Sequence, residues 1–270
     1  MKSSERPIGI FDSGIGGLTV ASAIKSLLPQ ESFIYFGDTA HLPYGDKSPE
    51  SIRHYAARIA SFLIEKKCKA IVIACNTASA HAYKTVQDVC GPKIPVINVV
   101  DPVALYTSEH YAEGKIGVIG TKGTIQSRIY VNRIEKLNKK LKVLSNATPL
   151  LAPMIEEGYF NNSISQTIIN SYLSKPSFKG IDALILGCTH YPLIKKEVES
   201  FYKKKIEIID SARVVAQAVK MELESTRLLN ASEENGVYQF FISDFTDSFE
   251  KSTKIFFKEK IELQEARIWD

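Results

Sequence analysis

Two short apolar runs that stop at a cysteine constrain this chain more than anything else in it. Residues 71–80 read Ile-Val-Ile-Ala-Cys75-Asn76-Thr77-Ala-Ser-Ala, and residues 183–190 read Ala-Leu-Ile-Leu-Gly-Cys188-Thr189-His190. Runs this short, apolar throughout and without polar alternation, fit strands buried on both faces, as in a parallel sheet. Each thiol then sits at the carboxyl end of its strand, the edge of an open α/β sheet where ligands bind. Asn76 and Thr77 are suited to cap the helix expected over 78–89, or to hold a ligand.

The chain around these runs alternates strand and helix. Ile8–Phe11, Ser32–Phe36, Ala70–Ala74 and Ile94–Val100 read as strands. A helix is expected from about Leu18, and Ser48-Pro49 opens another with serine as N-cap and proline at the first helical position. That order predicts an α/β fold with a mostly parallel sheet and helices on both faces. Asp12 falls just past the first strand, on the edge predicted for Cys75. The glycines after it run G-x-G-G-x-T from Gly14, so Thr19 stands where a dinucleotide fingerprint needs its third glycine, and that reading fails.

The pattern then restarts. Ile116-Gly-Val-Ile-Gly120-Thr121 echoes Ile8-Gly-Ile-Phe-Asp12-Ser13 at an offset of 108, Cys188 follows Cys75 by 113, and Ile206 follows Ile94 by 112. Near-constant offsets indicate a duplicated α/β unit. Two such lobes, related by a pseudo-two-fold axis across a cleft, bring both cysteines to one pocket. The expected division is residues 1–100 plus 210–270 for the first lobe and 101–209 for the second, with Tyr238–Ile242 a strand returning to the first.

Composition narrows the class. With 44% hydrophobic residues in 270, the chain can bury one large core or two modest ones. A net charge of +4 is mild, and the basic stretch Lys195–Lys205 is broken by Glu197 and Glu199. It reads as a solvated helix face, and no nucleic-acid surface is argued. No run has the length of a membrane span or the shape of a secretion signal, so a cytoplasmic protein is expected. Four cysteines, 68, 75, 90 and 188, without CxxC spacing, read as free thiols of a reducing compartment.

Either cysteine taken alone fits a small buried hydrophobe. A zinc site needs more ligands than His190 beside Cys188, and no metal is expected. A disulfide relay would need closer spacing. Acid–base chemistry remains: a thiolate on one face of a carbon and a thiol on the other can remove a proton and return it from the opposite side, inverting a stereocentre.

Asp12-Ser13-Gly14, Pro43-Tyr44-Gly45, Cys75-Asn76-Thr77-Ala78 and Gly187-Cys188-Thr189-His190, in this order from Ile8 to about Ala212, resemble the cofactor-independent glutamate racemases of the aspartate/glutamate racemase superfamily. The resemblance implies an isomerase that interconverts L- and D-glutamate for peptidoglycan synthesis without pyridoxal phosphate or any other cofactor, as a homodimer. It implies that Cys75 deprotonates D-glutamate and Cys188 L-glutamate, with Asp12 assisting Cys75, and His190 with Glu156 assisting Cys188. Either Glu156 or its neighbour Glu157 can face inward. Ser13, Tyr44, Gly45, Asn76, Thr77 and Thr189, with Asp12 and His190, would hold the substrate, aided by the dipoles of helices starting after Ser13, Thr77 and Thr189. Two positions depart from the pattern: His41-Leu42, where relatives often carry arginine nearby, and Val103, where many have glycine. Cys68 and Cys90 match no motif and read as structural. An aspartate racemase, or a non-catalytic binding protein of the same fold, are the alternatives.

Overall fold

The computed structural model describes residues 2–245, 247–257 and 259–269, the side chains of 247–249, 251 and 252 aside. Its strands are β1 (Ile8–Asp12), β2 (Phe33–Gly37), β3 (Ala70–Ile73), β4 (Val96–Asn98), β5 (Gly114–Gly120), β6 (Leu141–Ala147), β7 (Ala183–Gly187), β8 (Glu207–Ile209), β9 (Tyr238–Ile242) and β10 (Leu263–Glu265). The helices are α1 (Leu18–Leu27), α2 (Pro49–Glu65), α3 (Asn76–Cys90), α4 (Val100–His110), α5 (Lys122–Gln126), α6 (Ile129–Leu137), α7 (Leu151–Glu156), α8 (Ser163–Leu173), α9 (Lys195–Phe201), α10 (Ser211–Ser225) and α11 (Asp247–Phe257).

Among the described residues the strands form two sheets, ordered β10-β9-β2-β1-β3-β4 and β6-β5-β7-β8, and every pairing is parallel. The architecture is therefore α/β with two parallel sheets. Parallel pairing places all carboxyl ends of a sheet on one edge. Asp12 ends level with Gly37, and Phe11 lies beside Ile73, so the chain leaves β3 toward Cys75 next to Asp12. In the second sheet Gly120 lies beside Gly187, one residue before Cys188.

The expected strands are present with ends shifted by one or two residues. Tyr238–Ile242 pairs with β2, with Tyr238 opposite Phe33. Strand β4 stops at Asn98, short of Val100, because the Asn98 side chain accepts from the Val100 and Asp101 amides and opens α4. Asp101-Pro102 thus lies in a first helical turn, where proline is tolerated. Ser48 accepts from the Ser51 amide with Pro49 at the first position of α2, as expected.

Side-chain alternation explains why these runs show no polar period. Ile8, Ile10, Ala70 and Val72 point to one face, packed with Leu18, Ile24, Val215 and Val219. Phe11, Ile71, Ile73 and Cys75 join the opposite face, packed with Ile52, Ile59, Ala78 and Val86. Both faces of the sheet are covered. Cys68 and Cys90 lie buried in that second cluster, away from both strand ends. Among the described residues no helix is long and apolar enough to cross a membrane.

Candidate active site

The first wall grows from the end of β1. Asp12 is fully buried, and its Oδ2 accepts from the amides of Gly17 at 3.0 Å and Gly14 at 3.3 Å. Only glycine serves at position 17, since a Cβ there would lie 2.5 Å from the Asp12 Cβ. Burial raises the Asp12 pKa, against the pull of His190 and of the Gly17, Gly14 and Ser13 amides. Its Oδ1 is buried with no partner.

Cys75 stands at the N-cap of α3, and its sulfur accepts from the Ala78 amide at 3.4 Å. The thiol therefore takes the cap expected of Asn76 or Thr77, and the helix begins two residues earlier than the sequence suggests. The Ser13 hydroxyl lies 3.6 Å from the same sulfur. Burial pushes the Cys75 thiol up to about 12, and the Asp12 charge adds to the rise; the Ala78 amide and Ser13 oppose it, and Cys188 adds a further rise.

The second wall grows from β7. The Cys188 sulfur lies 3.5 Å from His190 Nδ1, and His190 Nε2 lies 2.8 Å from Glu156 Oε1. Glu156 faces His190 while Glu157 is exposed, which decides between the neighbours. Burial disfavours a charged His190, but Cys188 and Glu156 together hold its pKa well above the ordinary value. After Thr189 the chain makes a 3-10 turn (Tyr191–Ile194) before α9, with Pro192 inside the turn. A helix starting directly after Thr189 is thus not what forms, and its dipole is weaker than expected there.

The walls meet at the glycine turn. A Cβ on Gly16 would lie 2.3 Å from His190 Cε1 and 2.6 Å from Thr189 Oγ1. Thr19, whose side chain spoils a dinucleotide fingerprint, donates to the Thr189 carbonyl at 2.9 Å. Cys75 and Cys188 are each 6% exposed. A separate surface cavity of about 660 Å³ opens at the far end of α3, lined by Tyr83, Lys84, Gln87 and Glu222, and holds neither thiol nor imidazole.

The remaining candidates divide. Asn76 and Thr77 are buried beside Cys75. The Thr77 hydroxyl lies 2.8 Å from that of Thr121 and 3.1 Å from that of Thr124 in the second lobe. Gly45 packs on the same threonine, with a would-be Cβ 2.8 Å from Thr121 Cβ. The Tyr44 hydroxyl donates to buried Asp38 at 2.7 Å, so its backbone is what remains for a ligand. His41 Nδ1 also meets Asp38, and the ring stacks on Tyr55. No motif in the sequence points to Thr124 or Tyr130. Thr121 was findable, since the 108-residue offset aligns it with Ser13. Among the described residues no group of three His, Cys, Asp or Glu side chains is placed to hold a metal ion.

The sequence model of the Asp/Glu/Hydantoin racemase family matches residues 18–219. The chain belongs to this family. It is a racemase, an isomerase, and its relatives are consistent in kind. A glutamate racemase of Geobacter metallireducens is 43% identical over 244 residues, 90% of each chain. One from Chlorobaculum tepidum is 43% identical over 254 residues, covering 94% of this chain and 93% of the relative. Among solved structures, glutamate racemase from Francisella tularensis in complex with D-glutamate superposes with a TM-score of 0.92 at 39% identity, covering 98% of this chain and 99% of that one. The enzyme from Thermus thermophilus in complex with beta-chloro-D-alanine gives 0.87 at 37% identity, with 98% of each chain covered. The two thiols differ in their surroundings: Cys188 has the His190 imidazole, backed by Glu156, beside it, and Cys75 feels the buried Asp12 charge.

Proposed function

We propose that this racemase interconverts L- and D-glutamate by a two-base mechanism. The observation that carries the reading is a pair of thiols at strand ends, one 3.6 Å from the Ser13 hydroxyl and acted on by the buried Asp12 charge, the other 3.5 Å from His190 Nδ1, in a chain so similar to the Francisella tularensis enzyme solved with D-glutamate. From L-glutamate, the Cys188 thiolate takes the α-proton and the Cys75 thiol returns one to the opposite face, leaving a Cys75 thiolate and a Cys188 thiol. D-glutamate runs the same steps backwards. The thiol resting form that burial and Asp12 favour at Cys75 suits its role as acid in the first direction. The unpartnered Asp12 Oδ1 can accept from the substrate ammonium. Ser13, Thr77, Thr189, the Asn76 amide and the backbone of Tyr44 and Gly45 would hold the carboxylates, and the burial of Asn76, Thr77 and Thr189 would strengthen their contacts.

The lobe division is taken as residues 1–100 with 210–270 and residues 101–209. A homodimer in the cytoplasm, supplying D-glutamate to cell-wall synthesis, completes the reading. The test is α-proton exchange by NMR in D₂O on both glutamates and both aspartates. Deuterium entering both glutamates, with loss of optical activity and no response to added pyridoxal phosphate, is the expected result. Cys75→Ala and Cys188→Ala should each slow racemisation by about 10²–10⁴-fold, the usual weight of a general acid or base. Exchange with aspartate alone would change the substrate, and substantial turnover in either variant would remove the two-thiol mechanism.

A further inference from the structure

Asn76 sits one residue past Cys75 and is 3% exposed. Its Oδ1 accepts from the Tyr130 hydroxyl at 2.7 Å, while its Nδ2 is buried without a partner. Buried amide N–H groups are almost always paired, so an unpaired one beside Cys75 is a donor left for a ligand acceptor. The amide torsion itself is soft and two-fold, and gives no intrinsic preference for which end faces the cleft.

Tyr130 comes from the other lobe. It lies on α6 and is 2% exposed, with its ring against the end of β7: a Cβ on Gly187 would lie 3.3 Å from Tyr130 Cε2. One side chain thus packs beneath the strand that carries Cys188 and reaches across to the residue beside Cys75. Burial, reinforced by Cys188 and Asp101, pushes the phenol far above its ordinary pKa, so it keeps its proton as a hydrogen-bond donor and is unsuited to proton transfer.

We propose that Tyr130 is a positioning residue for the racemase reaction, acting through Asn76: its hydroxyl holds the Asn76 carbonyl so that the amide NH₂ faces a substrate carboxylate. Because the hydroxyl comes from the second lobe and the amide from the first, the donor is oriented only when the two walls are together. The inference rests on the substrate-holding role given to Asn76 above.

The experiment is steady-state kinetics with L- and D-glutamate for Tyr130→Phe, Asn76→Ala and the double variant. Phenylalanine keeps the ring under Gly187 and deletes only the hydroxyl. A carboxylate donor works in ground and transition states alike, so its loss acts on KM. Tyr130→Phe should raise KM for both enantiomers by about tenfold, the weight of one net hydrogen bond, with kcat close to that of the parent. Asn76→Ala should raise KM at least as far, and adding Tyr130→Phe to it should raise it no further. A normal KM in Tyr130→Phe beside an impaired Asn76→Ala overturns the inference and spares the substrate reading. A normal KM in Asn76→Ala overturns both. Additive effects, or a fall in kcat alone in Tyr130→Phe, would assign the tyrosine to packing under Cys188 and also overturn the inference.

Discussion

Gly16 offers the sharpest test of how the two walls meet. A Cβ built there falls 2.3 Å from His190 Cε1, 2.5 Å from His190 Nδ1 and 2.6 Å from Thr189 Oγ1. Carbon contacts settle near about 3.5–4.0 Å, so Gly16→Ala must displace the imidazole or the turn by more than about 1 Å. His190 has little freedom to yield. It is 6% exposed, its Nε2 is 2.8 Å from Glu156, and its ring lies edge-on to Phe256 at 5.3 Å. Movement of the imidazole to relieve the methyl therefore pulls Nδ1 from its place 3.5 Å from the Cys188 sulfur. A misplacement of about 1 Å in a catalytic array costs on the order of 10²-fold, and overpacking a buried contact costs about 1–3 kcal/mol. We expect Gly16→Ala to lower kcat by about 100-fold and the melting temperature by several degrees. Racemisation followed by circular dichroism from either enantiomer, with a thermal melt, reads both. Because L- and D-glutamate have equal free energy in water, kcat/KM must fall by the same factor in both directions. A variant with parental kcat and melting temperature would mean that the walls do not approach this closely in the working enzyme.

Three further predictions bear on the charged groups. Glu156→Gln removes two of the contributions that hold His190 charged, so the His190 pKa should fall in a ¹⁵N NMR titration; since a raised histidine pKa adds stability below about 6.5 that fades as pH climbs through the folded value, the variant should also lose stability at neutral pH. An unchanged titration would uncouple Glu156 from the imidazole. Alkylation of Cys75 by iodoacetamide, located by peptide mass spectrometry, should keep accelerating toward pH about 12 and should quicken in Asp12→Asn, whereas a plateau near the ordinary thiol value of about 8.5 would refute the burial argument. Lys69 and Glu31 pair at 2.5 Å with side chains each 1% exposed, so Glu31→Gln should cost about 3–5 kcal/mol by leaving a buried ammonium unpaired. Burial already lowers the Lys69 pKa, so the folded state binds fewer protons there, and the loss should shrink as pH rises toward about 10.4. A denaturant titration across pH that shows no such recovery would place the loss elsewhere.

What the sequence made legible was whatever a local period or a repeat encodes. The β-branched runs announced buried parallel strands, and the near-constant offset announced a second sheet. Structure departs from the sequence pattern where one side chain does an unexpected local job. The Cys75 sulfur takes the helix cap, which frees Asn76 and Thr77 to reach Tyr130 and Thr121. Glu197, read as part of a solvated basic face, turns inward to accept from Ser165 and the Asn161 amide. Glu156 and Glu157 straddle the end of α7, where a difference of one residue rotates the side chain by about 100° and no spacing rule can choose. Tyr130 carried no signal. Its role depends on a contact between α6 and α3 that exists only after both lobes have folded.

The repeat also explains why the site is asymmetric. At an offset of 108, Asp12 aligns with Gly120 and Ser13 with Thr121. The duplication thus preserved a strand end, a small hydroxyl and, at 113, a thiol, but not the carboxylate. The fit there is tight: a Cβ on Gly120 would lie 3.0 Å from the Gly187 carbonyl and 3.4 Å from Ile125 Cδ1. The ionisable group beside Cys188 comes instead from the turn after β7, with Glu156 behind it from α7. A carboxylate near Cys75 disfavours its thiolate, while His190 beside Cys188 gains its charge partly from that sulfur. Unlike partners thus distinguish the two thiols: burial and the Asp12 charge favour the protonated form at Cys75, while an imidazole whose charge is favoured lies 3.5 Å from the Cys188 sulfur.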